Sequence, residues 1–141
     1  MRRIVLAVSG MALGLALVAP AMRAEQASDA EMLDKTMKAV GPAFAAARKA
    51  LEAGDMAAVK AGAESLSKSF VETEAFFKSH DKADAVEWAQ GAKKAADAFA
   101  AAASADAAKA PAGELGKLCA GCHAKYRDKS ADGSFSYKPG P

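Results

Sequence analysis

The sequence predicts an all-α protein, an antiparallel up-down four-helix bundle. Three observations predict it. From Ser28 onward alanine, lysine, glutamate, leucine and methionine dominate, and all are good helix formers. Apolar residues recur at spacings of three and four, the period of one helix face. No stretch of β-branched or aromatic residues alternates with period two, so no strand is expected ahead of the C-terminal tail. Short polar breaks separate the helical runs, and short connections make neighbouring helices antiparallel.

The first helix is expected to start at Ser28, which forms a capping box with Glu31. Leu33, Met37, Val40, Phe44, Ala47 and Leu51 then make one apolar stripe, and Gly54 ends the helix. Pro42 lies mid-helix, where it withholds a donor from the Lys38 carbonyl, so a kink is expected about one turn past Met37. Asp55 caps the second helix, with a stripe of Val59, Ala63, Leu66, Phe70 and Phe77 and an end near Ser79. His80-Asp81-Lys82 is a polar connection, with His80 read as a solvated loop residue. The third helix runs from about Asp84 to Ala103, with Val86, Ala89, Ala92, Ala96 and Phe99 inside. Ser104 to Ala110 reads as its frayed end. Pro111 and Gly113 mark the break, and the fourth helix covers roughly Pro111 to Asp128. Asp132-Gly133 reads as a turn. Ser134 to Pro141 reads as an extended tail laid over the surface, or as an unordered one.

The chain has 141 residues, which favours one domain. Met1-Arg2-Arg3, an uncharged apolar run from Ile4 to Ala19, Pro20 and small residues read as a secretory signal peptide. Cleavage is expected after Ala24 or after Ala21. An uncleaved anchor helix over Ile4 to Met22 is the competing reading, disfavoured by Gly10, Gly14 and Pro20. The expected organisation is a leader over 1–24, a helical domain over 25–128 and a tail over 129–141. Removing Arg2, Arg3 and Arg23 from the 19 basic residues leaves 16 against 17 acidic ones. Nothing in that balance suggests nucleic acid, which needs a clustered basic face. The leader gives only a transient encounter with the membrane.

Cys119-Ala120-Gly121-Cys122-His123 carries the chemistry, and it holds both cysteines of the chain. Two cysteines three apart with a histidine after the second read as a c-type haem attachment site. Residues i and i+3 share a helix face, so both thiols meet one macrocycle through its vinyl groups. His123 rises from the same face as proximal iron ligand. A thioredoxin-like pair needs a βαβ pattern that this chain lacks. A zinc site needs about four ligands, and beyond these three only His80 remains. A disulfide here would leave His123 unexplained and close a loop too short to stabilise much. Tyr126 lies one turn beyond Cys122 and is expected to pack on the porphyrin, with a hydroxyl in need of a partner. Arg127 reads as a propionate partner, as a charge near the imidazole that tunes the potential, or as a solvated surface arginine. Trp88, Phe44 and Phe70 read as core or pocket walls.

Cys119-x-x-Cys122-His123-x-x-Tyr126-Arg127 near the C-terminus of an exported helical chain resembles the cytochrome c′ family, the class II c-type cytochromes. Further similarity lies in Met37-Lys38-Ala39-Val40-Gly41-Pro42, Phe76-Phe77 and Trp88. The resemblance covers roughly residues 28 to 128. A departure is the short connection between the second and third helices, where the family has a longer loop with Gly and Pro.

The resemblance implies a periplasmic haem protein with one covalent haem c, its iron on His123. It places Met37 at the opposite coordination position, in line with the low-spin Met/His-ligated branch. From periodicity alone Met37 is a core residue on the apolar stripe, and methionine fills irregular gaps well. Met32, off the stripe, is a weaker candidate, and Met56 begins the second helix. The expected function is single-electron transfer to redox partner proteins of the periplasm, without enzymatic bond chemistry. The alternative is a five-coordinate haem protein that binds nitric oxide or carbon monoxide. A third class is a subunit of a larger periplasmic redox complex that docks through the tail. Family members also form homodimers through the first two helices, and the Ala-rich faces here do not decide that state.

Overall fold

The computed structural model describes residues 18–131 and 134–140, with side chains from Asp29 onward. Four helices, α1 (Val18–Ala53), α2 (Met56–Ser79), α3 (Ala83–Ala100) and α4 (Ala105–Tyr126), pack against each other as a helical bundle. Two short strands follow, β1 (Arg127–Lys129) and β2 (Phe135–Tyr137), paired antiparallel. The expected leader lies outside the described residues up to residue 17, and the Asp132-Gly133 turn lies outside them too. Among the described residues no helix is long and apolar enough to cross a membrane.

Cross-helix neighbours give the direction of each helix. Gly62 meets Ala47 close to the α1–α2 turn, while Thr36 bonds Glu72 further from it. Ser67 bonds Asp97, and Glu74 bonds Gln90. Leu118 meets Gly91, and Lys125 meets Asp84. Consecutive helices therefore run antiparallel. Helices α1 and α2 come close at Gly62, where a Cβ would stand 2.9 Å from that of Ala47. The missing side chain lets α1 and α2 touch near their turn.

Local signals explain most boundaries. Gly54 ends α1 at φ 75°, a left-handed conformation that costs glycine nothing. The Asp55 carboxylate accepts from the Ala58 amide at 3.0 Å, satisfying one free donor of the first turn of α2. Four boundaries differ from the sequence expectation, the first being the end of α3 at Ala100, three residues short of the expected Ala103. Helix α1 passes through Ser28 without interruption, because the preceding residues are helix formers joined to it with no break. Helix α4 starts at Ala105, not at Pro111: Ser104, at ψ 163°, accepts from the Ala107 amide and makes the true N-cap. Pro111 lies inside α4, as Pro42 lies inside α1. Helix α4 also stops at Tyr126, where Arg127 turns extended, so the expected tail begins as a strand two residues earlier.

The core is three stacked clusters. Ala47, Val59, Ala63, Phe99, Ala108 and Ala112 close the end near the α1–α2 turn. Val40, Leu66, Phe70, Ala92, Ala96 and Leu115 fill the middle. Leu33, Phe76, Phe77, Ala85 and Tyr126 close the far end. Phe99, Leu66, Leu115 and Val59 are the largest fully buried side chains, each worth roughly 1.5–3 kcal/mol of removal from water. Expected inner residues Ala89, Ala92, Ala96 and Phe99 are buried; Val86 is half-buried, and Ala85 and Ala95 take inner places beside it.

The tail is extended and laid against the end of the bundle, as one of the two sequence readings has it. Lys138 donates its amide to the Tyr126 carbonyl at 2.9 Å. Tyr137 packs edge-on against Phe76 at 5.0 Å between centroids. His80 belongs to this cluster and is not a solvated loop residue. Its ring stacks on Phe76 at 4.2 Å, and Nδ1 lies 2.8 Å from the Phe76 carbonyl.

Candidate functional site

One cleft gathers most of the residues singled out in the sequence. Its α4 wall is Leu118, Cys119, Cys122, His123 and Tyr126. Spacings of three and four put these residues on one helix face. Helix α1 faces them with Leu33, Met37 and Val40. Helix α2 adds Phe70, Thr73 and Phe77, and α3 adds Trp88, Ala89 and Ala92. Arg127, Phe135 and Tyr137 of the hairpin complete the rim. Gly121 and Gly91 bring α3 and α4 together behind it: a Cβ at 121 would lie 3.6 Å from the Trp88 indole, and one at 91 would lie 3.2 Å from Leu118.

Both thiols are half-buried and unpaired with each other. Burial pushes the Cys119 thiol above its ordinary value. Cys122 is pushed up to about 11, by burial first and then by the charges of Cys119 and Asp84. Both are therefore thiols at neutral pH. His123 moves the other way, lowered by burial and by the Arg127 guanidinium. Its imidazole is neutral near pH 7 and keeps a nitrogen lone pair to donate. Among the described residues no cluster of three or more His, Cys, Asp or Glu side chains is placed to hold a metal ion by itself.

Met37 is half-buried and serves two surroundings, the middle cluster and the far-end cluster, while lining the cleft. Met32 lies outside the cleft and is 51% exposed. Met56 packs at the opposite end of the bundle. Trp88 and Phe70 are cleft walls, but Phe44 is not. Phe44 lies further along α1, with the Arg48 guanidinium 5.9 Å from its ring centroid.

Tyr126 is buried, and its hydroxyl donates to Asp84 Oδ1 at 2.6 Å. Lys125 Nζ donates to the other oxygen at 2.7 Å. The partner of Tyr126 could not be read from the sequence, because Asp84 precedes it by 42 residues and signals only the start of a helix. Arg127 is exposed at the rim, its guanidinium 4.2 Å from the Phe135 ring centroid. Phe135 and Tyr137 belong to the cleft although their segment carries no periodic signal.

No protein-family model, no curated protein and no solved structure matches this chain.

Proposed function

We propose that this chain is an exported, periplasmic cytochrome of the cytochrome c′ type that carries single electrons. One observation carries the reading: Met37 of α1 lines the same cleft as Cys119, Cys122 and His123 of α4. A thioether thus faces an imidazole and two thiols across largely apolar walls. That donor set suits a haem c better than a bare ion, since soft and imidazole donors flank a pocket for a flat apolar body. A haem iron between an imidazole and a thioether supplies one-electron exchange with little change in geometry.

The chain's own residues divide the work. Cys119 and Cys122 would hold the cofactor covalently through their sulfurs. His123 would donate its lone pair from a half-buried, neutral imidazole. Met37 would be a second ligand through its thioether. Trp88, Phe70, Phe77 and Tyr126 exclude water, and Arg127 at the rim is placed to meet a carboxylate. The enclosed part of the cleft measures about 90 Å³, below the ~300–1,000 Å³ of ordinary ligand clefts. Seating a macrocycle therefore requires the walls of the cleft to move apart. Its partners are redox proteins of the periplasm.

The test is expression with export, followed by intact mass and absorption spectra. Covalent haem and a sharp low-spin spectrum that ignores carbon monoxide support the reading. A high-spin spectrum that shifts with carbon monoxide replaces electron transfer by diatomic gas binding. Exported protein without covalent haem overturns both.

A further inference from the structure

We propose that Asp84 is a positioning residue for the last turn of α4, holding that turn in place and setting the field across the cleft. The proposal rests on the haem reading above.

Among the described residues, the ion pair of Asp84 with Lys125 is the only one that joins two helices. The others link side chains three or four apart on one helix. Asp84 uses both carboxylate oxygens, one for Lys125 at 2.7 Å and one for Tyr126 at 2.6 Å. Its two donors are consecutive residues of the turn that also contains Cys122 and His123. That turn needs an anchor. Helix α4 ends at Tyr126, so the turn has no following helix to stiffen it, and its last carbonyls turn to groups beyond the helix, that of His123 to the Arg127 amide and that of Tyr126 to the Lys138 amide. The Tyr126 ring cannot swing away, because Phe77 lies 5.1 Å and Trp88 6.3 Å from its centroid. Asp84 itself is fixed in the first turn of α3, where the helix dipole favours a negative charge.

The same carboxylate acts electrostatically. It is held ionised, lowered to about 2 by the Lys125 and Tyr126 hydrogen bonds, and its charge is felt at the Cys122 sulfur. A negative charge beside a redox centre favours the more positive oxidised form. Removing it also leaves the Lys125 ammonium without its partner, which acts in the same direction. Loss of Asp84 therefore favours reduction.

The experiment compares full-length, exported wild type with Asp84→Asn, Asp84→Glu and Tyr126→Phe. Midpoint potentials are read by spectroelectrochemistry, and amide hydrogen exchange is read across residues 119–127. Asp84→Asn is expected to shift the reduction equilibrium at least threefold toward the reduced form. Asp84→Glu is expected to restore most of that shift. Tyr126→Phe keeps the charge and removes one of the two hydrogen bonds to Asp84, so it is expected to speed exchange at Cys122 and His123. If haem is attached in every variant but Asp84→Asn moves neither the equilibrium nor the exchange, the role of Asp84 is overturned and the haem reading stands. If wild type carries no covalent haem, the haem reading fails first. The exchange data then still report whether the clamp holds the turn.

Discussion

Gly140 lies so close to Tyr126 that a Cβ at residue 140 would stand 2.6 Å from the ring carbon Cε1. Its φ of 71° is also in the left-handed region. Both facts point to a tail seated on the end of the bundle. Gly140→Ala is expected to unseat it, through ~1–2 kcal/mol of backbone strain and the contact with the ring. Amides of 136–138 should then exchange much faster, while those of Leu66 and Phe99 keep their protection. Unchanged exchange at Lys138, whose amide bonds the Tyr126 carbonyl, would show that the tail is not anchored there.

Met37 has a packing role and a proposed ligand role, and one substitution separates them. Met37→Leu conserves volume, so it should cost less than ~1.5 kcal/mol in denaturant unfolding. It removes the thioether, so the loaded protein should turn high-spin and bind carbon monoxide. A stable variant with an unchanged low-spin spectrum rejects Met37 as ligand and leaves it as a wall of the cleft.

The start of α4 is testable at Ser104. Its hydroxyl accepts from the Ala107 amide at 3.2 Å, and an N-cap serine is typically worth ~1 kcal/mol over alanine. Ser104→Ala should lower unfolding free energy by about that much. If the helix began at Pro111 instead, the substitution would be silent.

The pattern of legible and illegible features has a physical cause. The stripe from Leu33 to Leu51, the Gly54 stop and the Asp55 cap are local signals, and they place α1 and α2 correctly at the turn between them. The face shared by Cys119, Cys122, His123 and Tyr126 follows from helical period alone. The start of α4 was misplaced because Ala105 to Ala110 has no apolar contrast, so the proline outweighed a good serine cap. A proline in a helix costs stability locally, but packing of Ala108 and Ala112 against Phe99 and Val59 overrides it. The partners of Asp84 and the packing of His80 are illegible in the sequence for another reason. Their partners are set by how helix ends meet, which no local window contains. The hairpin was missed because each strand spans three residues, too few to show an alternation.

The thiols give a prediction that needs no cofactor. Both are raised by burial, Cys122 to about 11. In protein carrying free cysteines, iodoacetamide should label Cys122 slowly at neutral pH, with the rate still climbing above pH 10, because only the thiolate reacts. Peptide mass spectrometry resolves the site. Rapid labelling at pH 7 that saturates near an ordinary thiol value would contradict the burial of this face. Unfolding in urea should restore ordinary reactivity to both cysteines.

The Asp84 clamp makes stability depend on pH in a definite direction. Its carboxyl is lowered from 3.8 to about 2, first by the Lys125 hydrogen bond and then by that of Tyr126. A group whose folded value is depressed contributes stability above its unfolded value and loses it as pH falls through the folded one. The contribution is therefore complete above about pH 5 and is lost progressively down to about pH 1, below the folded value. Wild type should exceed Asp84→Asn in Tm at neutral pH, and the gap should narrow only in that acid window. Salt weakens the effect, since Asp84 and Lys125 are each more than a third exposed. A gap that stays constant down to pH 2 would assign the loss in Asp84→Asn to packing, not to the charged pair. A gap that closes already near pH 6 would point to a different titrating group.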